Sequence, residues 1–209
     1  MDRLGFLKEA GHSFHLLPPF VRTEIIYKYL FPDIFDSFPR FFSPKSKRSV
    51  RADEPFLVDI ATGLKPRKFS VYDKNDYCDQ LIYEEDQEVA EMYFIVQGKI
   101  GVGINTYANL CDKLDIGQKL PEDELICDFY IMHKKRSNFN YFALSDVRAF
   151  GLTRRYMHEV LFEKYPEYIK FYKFESLRYY KTRVYLPMQK YRQGKQNQQM
   201  NLSMLQTKG

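Results

Sequence analysis

Apolar positions along the chain fall into three regimes. In the first, Phe20–Leu30 places Ile25, Ile26, Tyr29 and Leu30 on one helical face, the 3.6-residue period of an amphipathic helix. Pro18 and Pro19 stand just before it, where a helix start tolerates proline. Pro32 and Pro39 break the pattern into short helices. Ser43–Asp53 is polar and basic and reads as an exposed loop. In the second regime, about Pro55 to Thr153, short apolar runs alternate with turn residues. Glu91–Gly98 and Lys99–Ile104 read as two strands joined at Gln97-Gly98. Phe94 and Val96 are placed on one side, and Ile100, Val102 and Ile104 alternate with small residues, the period of a half-buried strand. Phe142–Leu152 supplies two more strands. In the third regime, Tyr156, Val160 and Leu161 share a helical face until Pro166 interrupts. Tyr168–Tyr185 then forms a second helix carrying Ile169, Tyr172, Leu177 and Tyr180. The pattern predicts an α+β chain, an antiparallel β-roll or jelly roll flanked by N-terminal and C-terminal helices. Phe94, Ile100, Val102 and Phe150 are its expected core.

Composition narrows the function. The 209 residues are 44% hydrophobic and 17% aromatic, enough for a real core. The net charge of +5 comes from 32 basic and 27 acidic residues. The basic residues are dispersed apart from Lys45–Arg51 and Lys134–Arg136, so nucleic-acid binding is not expected. Cys78, Cys111 and Cys127 show no CxxC spacing and read as reduced thiols. Met1–Glu9 has no apolar core of a secretory signal, and no run of about 18 apolar residues occurs to span a membrane. His12, His15, His133 and His158 form no HxH or HExxH motif and read as ordinary histidines, with no metal implied. GxSxG, P-loop and Rossmann patterns are absent, so neither enzymatic activity nor a catalytic residue is expected.

Glu91-Met-Tyr-Phe-Ile-Val-Gln-Gly-Lys-Ile100 resembles the signature of cyclic-nucleotide-binding domains, Glu-Met-Tyr-Phe-Ile, two residues, Gly, then an apolar residue. Gly98 would permit a tight hairpin there. Ala143–Arg154 resembles the last strands of the family and Tyr156–Pro166 the helix after them, at compatible spacing. The similarity covers roughly Pro55 to Arg183. Leu17-Pro-Pro-Phe-Val-Arg-Thr-Glu-Ile25 is similar to the helical linker between a channel pore and its nucleotide domain, which kinase regulatory subunits lack. Lys135-Arg-Ser-Asn-Phe-Asn-Tyr141 looks like voltage-gated potassium-type channels of protists.

The family's binding cassette carries Gly-Glu and, nine residues after the Glu, an Arg followed by a small residue. Backbone amides at a helix N-terminus and the Arg hold the cyclic phosphate, and the Glu accepts from the ribose 2′-hydroxyl. Ungapped alignment from Ala143 puts Gly-Glu on Cys127-Asp128, followed by Phe129. It puts the Arg on Ser137 and the small residue on Asn138, with Arg136 as a neighbouring substitute cation. Cys127 would be strained at positive φ. Asp128 keeps the carboxylate with a shorter reach. Losing one charge-assisted hydrogen bond at Ser137 weakens binding about 10- to 150-fold. The turn glycines expected before Glu91 are replaced near Asp86 and Val89, and Val71–Gln80 is longer than the family's turn.

The resemblance implies a helical linker at 1–54 and a cyclic-nucleotide-binding-like domain at 55–185; the end, rich in Gln and Asn over Gln193–Gly209, makes 186–209 a polar, disordered tail. The resemblance also implies a regulatory domain coupled to gating of a potassium or cation channel, with weak or no cAMP or cGMP binding and no other cofactor. Its partners would be a transmembrane region outside this chain and three further copies in a homotetramer, at the cytoplasmic face of a membrane. A free-standing sensor such as a kinase regulatory subunit, or a jelly-roll interaction module, is the alternative. Pro187 is expected to end the lid helix, and Tyr185 either enters the base pocket or packs on the helix.

Overall fold

The computed structural model describes residues 16–26, 28, 34, 37–42, 54–71, 81–105, 114–120 and 123–206. Ser43–Asp53, His12, His15, Cys78, Cys111, Tyr29 and Leu30 lie outside them, as does most of Val71–Gln80. Among the described residues three helices precede the strands: α1 (Pro19–Ile25), α2 (Pro39–Phe42) and α3 (Glu54–Gly63). The α+β fold matches the expectation, but the strands begin at Lys65 rather than Pro55. Pro55 lies in the first turn of α3, where its missing N–H costs nothing, and Phe56, Leu57, Ile60 and Ala61 recur at helical spacing and are buried.

Eight strands come next among the described residues: β1 (Lys65–Phe69), β2 (Leu81–Tyr83), β3 (Glu91–Gln97), β4 (Ile100–Asn105), β5 (Leu114–Leu120), β6 (Leu125–Ile126), β7 (Asn140–Ala143) and β8 (Val147–Thr153). They form two antiparallel sheets, ordered β1-β8-β3-β6 and β2-β7-β4-β5. The hairpin expected at Gln97-Gly98 is therefore not one, because β3 and β4 lie in different sheets. The turn carries the chain from one sheet to the other, and the β7–β8 turn does the same beside it. The two turns are joined backbone to backbone, Leu144 N–H donating to the Lys99 carbonyl at 2.8 Å, and Lys99 N–H donates to Ser145 Oγ at 3.0 Å. Gly98 sits at φ 97°, and a Cβ there would come within 2.4 Å of the Asp146 carbonyl oxygen. The glycine is thus required by the crossing.

Phe94, Ile100 and Val102 are fully buried. Phe150, expected beside them, is only half-buried, and Val96 is exposed at the strand's end. Phe94 is enclosed by the N-terminal segment: its ring centroid lies 5.2 Å from Phe38, 5.1 Å from Phe41 and 5.4 Å from Phe42. The end of the N-terminal segment therefore belongs to the core of the roll.

Between β6 and β7 lies α4 (Asp128–His133). After β8 the chain forms a helix, α5, whose parts are Arg154–Tyr156, a π turn at Met157–Leu161, and Phe162–Lys164. Thr153 caps it by accepting from the Tyr156 N–H at 3.1 Å. Asp59 of α3 ties it down, receiving Lys164 at 2.5 Å and the Tyr165 hydroxyl at 2.7 Å. The π turn inserts one residue and shifts the phase of the positions after it. Val160, expected inward, is consequently exposed, whereas Met157, Leu161 and Phe162 are buried.

The second C-terminal helix, α6, runs Tyr168–Tyr180 and passes through a π turn at Lys181–Tyr185 into α7 (Leu186–Gln206). Tyr172 and Tyr180 are buried as expected, but Leu177 is exposed. Two expectations are corrected here. The polar tail is helical rather than disordered through Gln206, and Pro187 does not end the helix. Proline in a regular helix clashes with the carbonyl four residues back. The π turn just before it registers Leu186 N–H to the Lys181 carbonyl, five back, and so accommodates the ring. The tail then has a surface to lie on. Met188 is fully buried, and a Cβ on Gly117 of β5 would come within 2.7 Å of Met188 Sδ and 2.8 Å of Tyr191. Among the described residues no helix is long and apolar enough to cross a membrane.

Candidate functional site

The cassette residues fall at both ends of α4. Cys127 stands immediately before it at φ 65°, ψ 4°, the left-handed region. This is the glycine-like conformation that the alignment requires there, adopted by a residue with a Cβ. Its side chain is buried, and burial holds the thiol up in its neutral form. Asp86, in the turn where the family has glycine, is likewise at φ 65°.

Asp128 opens α4, almost fully buried. Its carboxylate accepts from the Phe129 backbone and meets Arg40 of α2 at 3.0 Å. Burial raises its pKa, and the Arg40 charge opposes the rise. The Asp128 carboxylate is thus paired within the chain.

Ser137 is fully buried, and its hydroxyl donates to the Phe139 carbonyl at 2.6 Å. Its backbone exchanges hydrogen bonds with the turn before β3: Asp86 N–H to Ser137 O at 2.7 Å and Ser137 N–H to Gln87 O at 2.9 Å. Arg136 is exposed and donates to the Asp86 carbonyl at 3.0 Å. It is directed at the outside of that turn and does not line the space beside Cys127 and Asp128.

That space is nearly closed. Leu120, Ile126, Cys127, Asp128, Tyr130 and Tyr141 face it from the roll and cassette, and Tyr179, Tyr180 and Val184 close it from the lid helix, leaving about 10 Å³. Tyr180 fills it. Its ring stacks on Phe129 at 4.0 Å with the planes 3° apart. Its hydroxyl accepts from Asn138 Nδ2 at 2.7 Å and from the Tyr130 hydroxyl at 3.4 Å. One lid tyrosine thus touches both halves of the cassette. Burial raises the pKa of Tyr180, Tyr130 and Tyr141, so all three stay protonated donors in the neutral range. Tyr185, the other candidate occupant, is half-buried; its ring lies 6.0 Å from that of Tyr180 and its hydroxyl accepts from Gln189 at 2.6 Å. It lines an open groove of about 370 Å³ with Asp86, Asn138, Phe139, Met188 and Arg192, so this groove borders the cassette at Asn138. The sequence alone does not single out Tyr180, whose visible signal is only the density of tyrosines in the helix, or Arg40.

The remaining polar candidates have ordinary roles. His158 Nε2 faces the Ile131 carbonyl at 2.9 Å and His133 Nε2 faces that of Lys173 at 3.1 Å. Among the described residues no group of three or more His, Cys, Asp or Glu is placed to hold a metal ion.

No family model and no curated protein matches the sequence. Solved structures do match its shape. The C-linker/CNBHD of zELK channels, crystallised in the presence of cAMP, superposes with a TM-score of 0.56 at 17% identity, over 78% of this chain and 70% of that one. The fold is that of a cyclic-nucleotide-binding β-roll. A cAMP-bound PfPKA-R (141–441) matches less closely, with a TM-score of 0.46 at 13% identity over 61% of this chain and 40% of that one. The fold assignment rests on the first.

Proposed function

We propose that this chain is a regulatory β-roll of a potassium or cation channel that works without a cyclic nucleotide. The observation that carries the ligand-free reading is Tyr180, which stacks on Phe129 and leaves about 10 Å³ beside Cys127 and Asp128, the positions aligned with the family's Gly-Glu. A nucleotide needs a pocket of several hundred cubic ångströms. Three further features agree: the internal pairing of Asp128 with Arg40, the buried Ser137 in place of a phosphate-binding arginine, and Arg136 turned to the outside. Cys127, Asp128, Phe129, Arg136, Ser137 and Asn138 are then a degenerate cassette with a structural role, and neither cAMP nor cGMP is a cofactor.

The channel setting is supported by the helices α1 to α3 before the roll, since the zELK neighbour consists of a linker together with its CNBHD. In this reading residues 1–54 are a coupling linker and 55–185 the roll domain, with 186–209 extending the lid. Four copies sit at the cytoplasmic face of a membrane beneath a pore outside this chain. Movement of the lid and roll passes to that pore through the linker. The test is the transcript upstream of Met1. Six hydrophobic spans in frame are expected. An in-frame stop codon close before Met1 would overturn the channel setting and favour a free-standing sensor or interaction module.

A further inference from the structure

Arg40 stands where three parts of the fold meet. It belongs to α2, whose Phe41 and Phe42 are anchored on Phe94 of the roll. Its guanidinium pairs with Asp128 of the cassette at 3.0 Å. The same guanidinium lies 3.6 Å above the ring of Tyr179 in the lid helix, a cation–π contact. Tyr179 in turn donates its hydroxyl to the Glu124 carboxylate just before β6. Both terminal nitrogens of Arg40 are buried and hold no aligned hydrogen bond. Charge and stacking hold the guanidinium in place, and each depends on a partner from another segment. A cavity of about 170 Å³ adjoins it, lined by Ser37, Phe38, Asp123, Glu124 and Tyr179 among others, and gives the side chain room for a second position.

Tyr179 and Tyr180 are consecutive, yet they face different partners: Tyr180 fills the cassette while Tyr179 covers Arg40. The lid cannot withdraw one without moving the other. We propose that Arg40 is a latch, joining the N-terminal segment, the cassette carboxylate and the lid helix so that lid withdrawal and release of α2 are one event. The latch rests on the contacts of Arg40 itself; its use in gating rests on the channel reading above.

Hydrogen exchange of the full chain tests it, with two groups of amides as reporters. The first is Phe41 and Phe42, whose N–H groups bond to the Phe38 carbonyl. The second is the lid amides of 177–184. Arg40→Met removes charge and stacking with little change of volume, and exchange in both groups is expected to rise together by about tenfold or more, with β3 and β8 unchanged. Asp128→Asn, which removes only the ion pair, is expected to speed both groups as well. Faster exchange at Phe41 and Phe42 alone would mean that Arg40 merely anchors its own helix, and would overturn the latch. If Arg40→Met does not fold, Arg40→Lys decides. It keeps the charge at Asp128 but loses the planar stack, so the lid should still exchange faster; native lid protection in that variant would also overturn the proposal. Nucleotide binding is not the readout, so failure here is distinct from failure of the ligand-free reading.

Discussion

Replacing Tyr180 by alanine removes the plug of the cassette, and the structure allows its cost to be built up from parts. Tyr180 is buried, and truncating a buried aromatic of its size costs about 3–5 kcal/mol. Within that figure its stack on Phe129, nearly parallel at 4.0 Å, accounts for about 0.5–1.5 kcal/mol. Its hydroxyl accepts from Asn138 and Tyr130, and a net hydrogen bond is worth about 0.5–1.5 kcal/mol. Tyr180→Phe keeps the ring and loses the hydroxyl, so it should cost about 1 kcal/mol, whereas Tyr180→Ala should cost about 3–5 kcal/mol. Urea unfolding followed by far-ultraviolet circular dichroism measures both, since the chain has no tryptophan to serve as a fluorescence probe. A second readout separates a plug from an ordinary core residue. The alanine variant should bind benzene-sized probes in the vacated space, as apolar cavities do, and the native chain should not. A loss below about 1 kcal/mol for Tyr180→Ala, with no probe binding, would refute the packing reasoning.

Other parts of the fold can be perturbed in the same way. Gly98→Ala should destabilise by more than an ordinary surface change, roughly 1–3 kcal/mol, because φ is 97° and the new Cβ meets the Asp146 carbonyl; thermal melting checks it. Gly117→Val should detach α7 from β5, seen as faster exchange of amides in 186–195 with the strands of the roll still protected. His158 carries its proton on Nε2 toward the Ile131 carbonyl, and burial lowers its pKa in the folded state. Its contribution to stability is therefore present above the unfolded value of about 6.5 and is lost as pH falls through the folded value. Melting temperatures across pH 7.5 to 5 should fall less steeply in His158→Gln than in the native chain. The raised pKa of the carboxyls of Glu124 and Asp128 works in the opposite sense, adding stability as acid protonates them, so the comparison is made between the two chains at each pH.

Much of this fold is legible in the sequence because its signals are local. The period of two at Ile100, Val102 and Ile104 and the run Glu91–Gln97 mark β4 and β3 where they occur. What period cannot state is the partner of a strand, and so the sheet crossing at Gly98 reads as a hairpin. The two π turns defeat a helical wheel for the same reason. One extra residue at Met157–Leu161 turns Val160 outward, and another at Lys181–Tyr185 lets a helix pass Pro187. The tail is polar by composition, yet Met188 and the bare surface at Gly117 supply a docking contact that no propensity records. Within the cassette, Cys127 at φ 65° stands where the alignment puts a glycine. The occupant of the pocket is not legible, because Tyr180 and Arg40 reach the cassette from segments about 50 and 90 residues away, a separation that only the fold closes.

Isothermal titration calorimetry of the native chain with cAMP and with cGMP tests the central claim most directly. A cassette filled by Tyr180, without its phosphate arginine and with its carboxylate paired to Arg40, predicts no binding heat below millimolar ligand. The Cys127→Gly, Ser137→Arg variant combined with Tyr180→Ala should then gain measurable heat. Micromolar affinity in the native chain would contradict the account, because the lid tyrosine would have to leave the pocket at little cost and another cation, such as Arg136, would have to take the phosphate.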